Sequence, residues 1–113
     1  MPATHVITFK LKDDTDLLAA RSLFEGVFEM KNSCKKADGV SYMLSVRGGK
    51  QITEGLLGKL AKEWEWTFVF EFENTDDLQY FLLKDPTHQK FAGSFRPLLA
   101  DAIALTFDDH VFA

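Results

Sequence analysis

Cysteine is nearly absent from this sequence, and long uncharged apolar runs are missing. Cys34 is the only cysteine among the 113 residues, so no internal disulfide can form, and we expect a reducing, cytoplasmic location. The uncharged stretches fall far short of the roughly 18 residues that a membrane-spanning helix needs. The opening Met-Pro-Ala-Thr-His is unlike a secretory signal peptide. These absences argue against a disulfide-stabilised secreted domain and predict no membrane partner.

Positive charge is also in short supply. The chain has 13 Lys and Arg against 17 Asp and Glu, which gives a formal net charge of −4. A protein that binds a phosphate backbone normally carries a basic patch, so we expect no nucleic-acid partner. The three histidines, at positions 5, 88 and 110, show no metal-binding spacing, and no glycine-rich nucleotide motif occurs. We therefore predict no metal site and no cofactor.

Phenylalanine is what the sequence has in abundance. Eleven Phe, two Trp and two Tyr occur in a chain that is 46% hydrophobic. So much apolar material excludes a disordered segment, and the length is typical of one domain. We therefore interpret residues 1–113 as a single folded domain with an aromatic core.

Hydropathy patterning predicts the order strand, helix, strand, strand, helix pair, strand. Alternation of apolar and polar residues indicates the strands, and apolar spacings of three and four indicate the helices. Asp14 or Thr15 is expected to cap the first helix, and Asp85 the last, with Pro86 at its first position. The strands are predicted at 5–11, 40–47, 64–73 and 103–107, and the helices at 16–35, 75–84 and 86–95.

The second predicted strand is the least regular of the four. Its alternation places Tyr42 and Val46 on one face and Met43 on the other, and Gly48-Gly49 is expected to end it. Residues 51–62 that follow stay ambiguous, because two glycines weaken an otherwise helical pattern.

The third predicted strand separates its side chains most clearly. Glu65, Glu71 and Glu73 fall on one face together with a threonine and a valine, whereas the other face is wholly aromatic. A helix of 3.6 residues per turn would scatter these residues around its axis, so only a strand accounts for them. The aromatic face consists of Trp64, Trp66, Phe68, Phe70 and Phe72.

The order of elements matches the ferredoxin-like arrangement. We predict an α+β monomer with a four-stranded antiparallel sheet and helices on one face. The other face would be open, and we expect a second copy to cover it, which makes the protein a homodimer paired through the open sheet face. The residues expected on this face are Thr8, Ser41, Met43, Thr67 and Val69.

Several segments, in order, resemble those of the stress-responsive dimeric α/β-barrel (Dabb) family over nearly the whole chain. They are THVITFKLKDD, DGV, FVFEFENTDDLQYFLLKDPTHQKF and LTFDD. The resemblance implies a ferredoxin-like monomer that pairs into a dimeric α/β barrel. The family includes olivetolic acid cyclase and boiling-stable stress proteins, and related barrels include cofactor-independent monooxygenases, so the fold does not determine the function.

The resemblance to the cyclase also implies a pair of catalytic histidines. His88 would be the general base, and His5 would orient the substrate or stabilise an oxyanion. His88 lies in the first turn of a predicted helix, where the helix dipole favours the neutral imidazole that a base requires. The cyclase's pocket tyrosines align with Phe81 and Val27, which lack a hydroxyl. The alternative is that both histidines are ordinary polar residues at the ends of a strand and a helix.

An aromatic-lined pocket would lie between the sheet and the helices. Its rings either fill that space as core or enclose a hydrophobic, flat aromatic molecule. Two kinds of function stay open: a cofactor-independent enzyme, polyketide cyclase-like or monooxygenase-like, or a non-catalytic oligomeric stress protein or apolar-ligand-binding module. The residues expected to line the pocket are Ile7, Phe9, Leu23, Phe24, Val27, Trp66, Phe68, Phe70 and Phe81.

Overall fold

The computed structural model describes residues 2–113, and the predicted order of elements is confirmed within that range. The four strands and the three predicted helices follow one another in the expected order, and the ambiguous segment 51–62 contains a fourth, short helix. A single 3₁₀ turn, Arg96–Leu98, joins the last helix to the last strand. The strands are β1 (Ala3–Leu11), β2 (Met43–Lys50), β3 (Trp66–Phe72) and β4 (Leu99–Asp108). The helices are α1 (Leu17–Ser33), α2 (Gly55–Ala61), α3 (Thr75–Leu83) and α4 (Pro86–Phe95).

The strands form one antiparallel sheet in the order β2-β3-β1-β4, which confirms the ferredoxin-like prediction. Residues directly opposite each other in such a sheet share a face. His5 of β1 lies between Phe70 of β3 and Thr106 of β4. The register therefore brings residues that are far apart in sequence onto the same face as His5.

Helices α1, α3 and α4 pack on the face that carries His5, while the opposite face is left open. The molecule measures 44 × 35 × 18 Å, which is the thickness of one sheet and one helix layer. Helix α2 is the exception, because it lies beside the open face, where Leu57 and Leu60 border a shallow cleft with Thr67 and Val69.

The core consists largely of phenylalanine rings, as the aromatic face of the third strand predicted. Phe68 and Phe72 of β3 are almost fully buried, and so are Phe9 of β1 and Phe81 of α3. The Phe9 ring meets that of Phe95 edge-on at 4.8 Å between centroids, and Phe72 lies 5.2 Å from Phe81. Edge-to-face and tilted pairs at these distances are favourable.

Strand β2 departs from the sequence-based prediction in two ways. A register shift between Met43 and Ser45 displaces Leu44, so that Met43 lies opposite Phe72 and is buried, where it was expected on the open face. Gly48 does not end the strand but lies within it, paired with Phe68 of β3, and the Phe68 ring leaves no room for a side chain at this position. A Cβ on Gly48 would lie 2.2 Å from Cδ1 of Phe68.

Candidate functional site

A cavity of about 360 Å³ lies on the helix-covered face of the sheet and contains both predicted catalytic histidines. His5 reaches it from β1, and His88 reaches it from the first turn of α4. The rest of the lining is predominantly apolar, as is usual for small-molecule sites. The lining residues are His5, Ile7, Val27, Met30, Phe68, Phe70, Phe81, Leu82, His88, Phe91, Ala92, Phe95, Arg96, Leu99, Ala104 and Thr106.

The imidazole of His5 is held in place by its neighbours on β3 and β4. Nδ1 lies 3.2 Å from the hydroxyl oxygen of Thr106, and the ring lies 5.9 Å from that of Phe70. Burial, followed by the nearby imidazole of His88, lowers the pKa of His5 to about 4. His5 is therefore neutral at physiological pH and can act as a hydrogen-bonding partner rather than as a charged group.

The position of His88 is set by the start of α4. Asp85 caps this helix, since its Oδ1 accepts hydrogen bonds from the backbone N–H groups of Thr87 at 2.9 Å and His88 at 3.4 Å. Pro86 occupies the first helical position, where its missing N–H leaves no donor unsatisfied. The predicted cap at Asp85 is confirmed, whereas α1 is capped by Asp16 rather than by Asp14 or Thr15.

The electrostatic surroundings favour the neutral form of His88. Burial has the largest effect and lowers the pKa of His88; the Asp85 carboxylate opposes this, and the Arg96 guanidinium lowers it further. The ring packs against Phe81 at 4.0 Å between centroids. Within residues 2–113, Nδ1 of His88 is buried and has no hydrogen-bond partner. The His88 ring lines the cavity, and a neutral imidazole can accept a proton from a bound molecule.

Asp85 also connects α4 to Tyr42, just before β2, and to Cys34, just after α1. The Tyr42 hydroxyl donates a hydrogen bond to Oδ2 of Asp85, and Asp85 itself is completely buried. Burial and this carboxylate together raise the pKa of the fully buried Cys34 to about 12. Cys34 is therefore an unreactive thiol, and Asp85 is a structural anchor for the helix that carries His88.

The predicted pocket residues divide between two places. Ile7, Val27, Phe68, Phe70 and Phe81 line the histidine cavity. The other four lie elsewhere: Phe9 is fully buried between sheet and helices, and Leu23 packs against the same core. Phe24 and Trp66, with ring centroids 4.6 Å apart, border a different cleft beside the start of α1.

Other lining residues were missed by sequence reasoning. Ala104 and Thr106 lie opposite Ile7 and His5 only because of the β1–β4 register, which no local pattern encodes. Arg96 begins the 3₁₀ turn directly after α4, the helix that carries His88, and lines the cavity from there. The sequence indicated this only indirectly, because Arg96 directly follows the last predicted helix. The remaining missed residues are Met30, Leu82, Phe91, Ala92, Phe95 and Leu99.

Within residues 2–113 no three His, Cys, Asp or Glu side chains lie close enough together to hold a metal ion. Every helix of the same range is too short or too polar to cross a bilayer.

The family model described as "Stress responsive A/B Barrel Domain" matches residues 3–109. No curated protein matches the sequence.

Solved structures with the same fold span almost the whole chain. A protein from Arabidopsis thaliana is 19% identical with a TM-score of 0.77, and each chain is 98% covered. A hydroxynitrile lyase from Passiflora edulis is 14% identical with a TM-score of 0.82, covering 99% of this chain and 97% of its own. A dimeric ferredoxin-like protein of unknown function from Thermobifida fusca is 15% identical with a TM-score of 0.73, covering 95% and 90%. At these identities the likeness establishes the fold alone.

Proposed function

This chain belongs to the stress responsive A/B barrel (Dabb) family, and we propose that it is a cofactor-independent enzyme that removes a proton from a small apolar molecule. The observation that carries this proposal is the single cavity that contains His5 and His88. A buried and a half-buried imidazole, both of lowered pKa, in one predominantly apolar cavity favour a functional site over an ordinary packed core.

The two histidines are suited to different roles. A general base works best when its pKa lies near the operating pH. The pKa of His5 is lowered to about 4, which makes His5 a weak base, whereas the Asp85 carboxylate counteracts the lowering at His88. We therefore assign proton abstraction to His88. His5, steadied through Nδ1 by Thr106, has Nε2 as its other ring nitrogen with which to hold a substrate oxygen.

The test uses 5-nitrobenzisoxazole, a flat apolar probe that any well-placed base converts to a coloured product. The base removes the ring C–H proton, the N–O bond breaks, and a nitrile and a phenolate form. Ala104→Trp should abolish saturable turnover, because Ala104 lines the cavity and an indole would occupy its space. The measurement is the initial rate of phenolate formation against probe concentration.

Ala100→Trp is the matched control for this substitution. Ala100 is exposed on the same edge strand but does not line the cavity, so this variant should keep the wild-type rate. Equal loss of rate in both variants would show that a tryptophan on β4 disturbs the fold generally. A wild-type rate no higher than that of free imidazole at the same concentration would contradict enzymatic proton abstraction.

A binding module for an apolar ligand is the second candidate function. It is favoured by Nδ1 of His88, which is buried and has no hydrogen-bond partner within residues 2–113, whereas a catalytic histidine is usually oriented by a hydrogen bond at its second ring nitrogen. The two functions differ in the same assay. A probe that binds, seen as quenching of tryptophan fluorescence, without being converted would support the binding module.

We propose further that the protein is a homodimer joined through the open sheet face. This face exposes a row of large apolar side chains on β4, where Leu105 is 59% and Phe107 is 51% exposed. Val6 and Val69 lie next to this row in the register of β1 and β3. Monomeric proteins seldom expose a contiguous apolar surface of this kind. The Thermobifida fusca neighbour is described as dimeric, which supports the same arrangement here.

Leu105→Arg should convert this dimer into a monomer at micromolar concentration, because the interface would have to bury an unpaired charge. Sedimentation equilibrium measures the mass directly. Leu83→Arg is the matched control, since Leu83 is 71% exposed on α3, away from the open face, and should stay dimeric. A wild-type protein that is monomeric at this concentration would contradict the proposal.

A further inference from the structure

Arg96 is distinct among the residues that line the histidine cavity. It is the only described lining residue with a permanent charge, because His5 and His88 both have lowered pKa values. The side chain is exposed, so it lies where the cavity meets solvent. Within residues 2–113 no ion pair and no side-chain hydrogen bond includes Arg96. A guanidinium with five N–H donors and no hydrogen-bond acceptor among the described residues thus lies at the mouth of a predominantly apolar cavity.

The lining around Arg96 indicates how a ligand would be oriented. Phe91 and Phe95 of α4 lie just before it in the chain, and Phe81 of α3 lines the same cavity. The field of Arg96 also reaches the interior, since it disfavours the protonated form of His88. A molecule with an apolar body and one negative end would place its body among these rings and its charge at the guanidinium.

We propose that the cavity takes apolar carboxylates, and that Arg96 selects them by pairing with the carboxylate group. This inference rests on the proposed function, because it names the substrate class of the same cavity. The planar guanidinium matches a carboxylate with two parallel hydrogen bonds, which a lysine cannot supply. The ligand would enter with its apolar body first and keep its carboxylate at the mouth. That orientation brings the carbon atoms of the body, rather than the carboxylate, toward the imidazoles.

The test compares two probes of nearly equal shape, 2-naphthoate and 2-naphthamide, by isothermal titration calorimetry. Wild-type protein should bind the charged naphthoate about tenfold more tightly, as expected for a charge-assisted hydrogen bond at a partly exposed site. Arg96→Gln should remove this preference and leave the affinity for 2-naphthamide unchanged. Arg96→Lys should retain part of the preference, since it keeps the charge but not the two-pronged geometry.

Arg21→Gln is the matched control, because Arg21 is exposed and borders the separate cleft beside α1. Loss of the preference in Arg21→Gln alone would place naphthoate in that cleft and overturn the assignment to Arg96. If the wild type binds both probes equally, or if the preference for naphthoate survives in Arg96→Gln, the proposed role of Arg96 is overturned. The proposal that the cavity binds apolar molecules would remain valid in either case. Absence of binding by either probe, with the wild type also inactive toward 5-nitrobenzisoxazole, would overturn the proposed function as well.

Discussion

Replacing His88 with Ala is expected to lower kcat/KM for 5-nitrobenzisoxazole by about 100-fold, the low end of what a positioned general base contributes. This corresponds to about 2.7 kcal/mol of lost transition-state stabilisation. The reason is that no other described lining residue can accept the proton as well: the pKa of His5 is lowered to about 4, and Arg96 is a cation. The rate of phenolate formation measures the effect.

His110→Asn provides the control for this prediction. His110 is exposed near the C-terminal end and has a φ of 65°, a conformation that asparagine adopts readily. Its rate should equal that of the wild type. A His88→Ala variant that retains most of the wild-type rate while folding normally by circular dichroism would rule out His88 as the base.

The pH profile of the wild type gives an independent check on the same residue. A base works only when deprotonated, so the rate should rise as pH increases through the pKa of His88 and then level off. Burial lowers the pKa of His88 below the ordinary histidine value of 6.5, so the midpoint of the rise should lie below pH 6.5. A midpoint above pH 7 would assign the reaction to a different group.

Local chemistry made much of the fold predictable from the sequence. The aromatic face of β3 could be read directly, because a strand alternates its side chains and Phe68 and Phe70 are two residues apart. The start of α4 was equally clear, since Asp85 and Pro86 each have a well-defined role at a helix N-terminus. In both cases the residues that decide the structure are adjacent in the chain.

Features that depend on distant parts of the chain could not be predicted in this way. Met43 is buried because a bulge shifts the pairing of β2 with β3 by one residue. A register shift of one residue moves the side chains beyond it to the opposite face of the sheet. Gly48 continues the strand because it pairs with Phe68 of β3, and the Phe68 ring leaves space only for glycine there. Both outcomes depend on strand pairing rather than on local pattern.

The same division applies to the candidate site. The resemblance to the Dabb family drew attention to His5 and His88, and the helix-start pattern around Asp85 indicated the environment of His88. Thr106, which steadies His5, comes from a strand about 100 residues later and required the β1–β4 register. Arg96 required the path of the chain after α4. The sequence therefore identifies the two histidines, whereas the residues that act on them, Thr106 and Arg96, can be identified only from the folded structure.

Asp85→Ala is expected to lower the free energy of unfolding by about 3 kcal/mol. Removing the carboxylate costs the helix cap about 1–2 kcal/mol and leaves the Tyr42 hydroxyl without its acceptor, at about another 1–2 kcal/mol. Water cannot readily replace the lost partner, because Asp85 is completely buried. Urea denaturation followed by circular dichroism measures the change, and the m-value shows whether the folded state keeps its compactness.

Two comparisons separate these contributions of Asp85. Asp16→Ala removes the cap of α1, where an exposed carboxylate accepts a hydrogen bond from the backbone N–H of Leu18. This variant should lower the free energy of unfolding by only about 1 kcal/mol.

Asp85→Asn keeps a good capping side chain and should recover most of the stability that Asp85→Ala loses. It should nevertheless move the midpoint of the pH–rate profile lower, because the carboxylate that raises the pKa of His88 is gone. Unchanged stability in Asp85→Ala would mean that the Tyr42 contact contributes nothing to folding, and an unchanged midpoint in Asp85→Asn would mean that Asp85 does not act on the base.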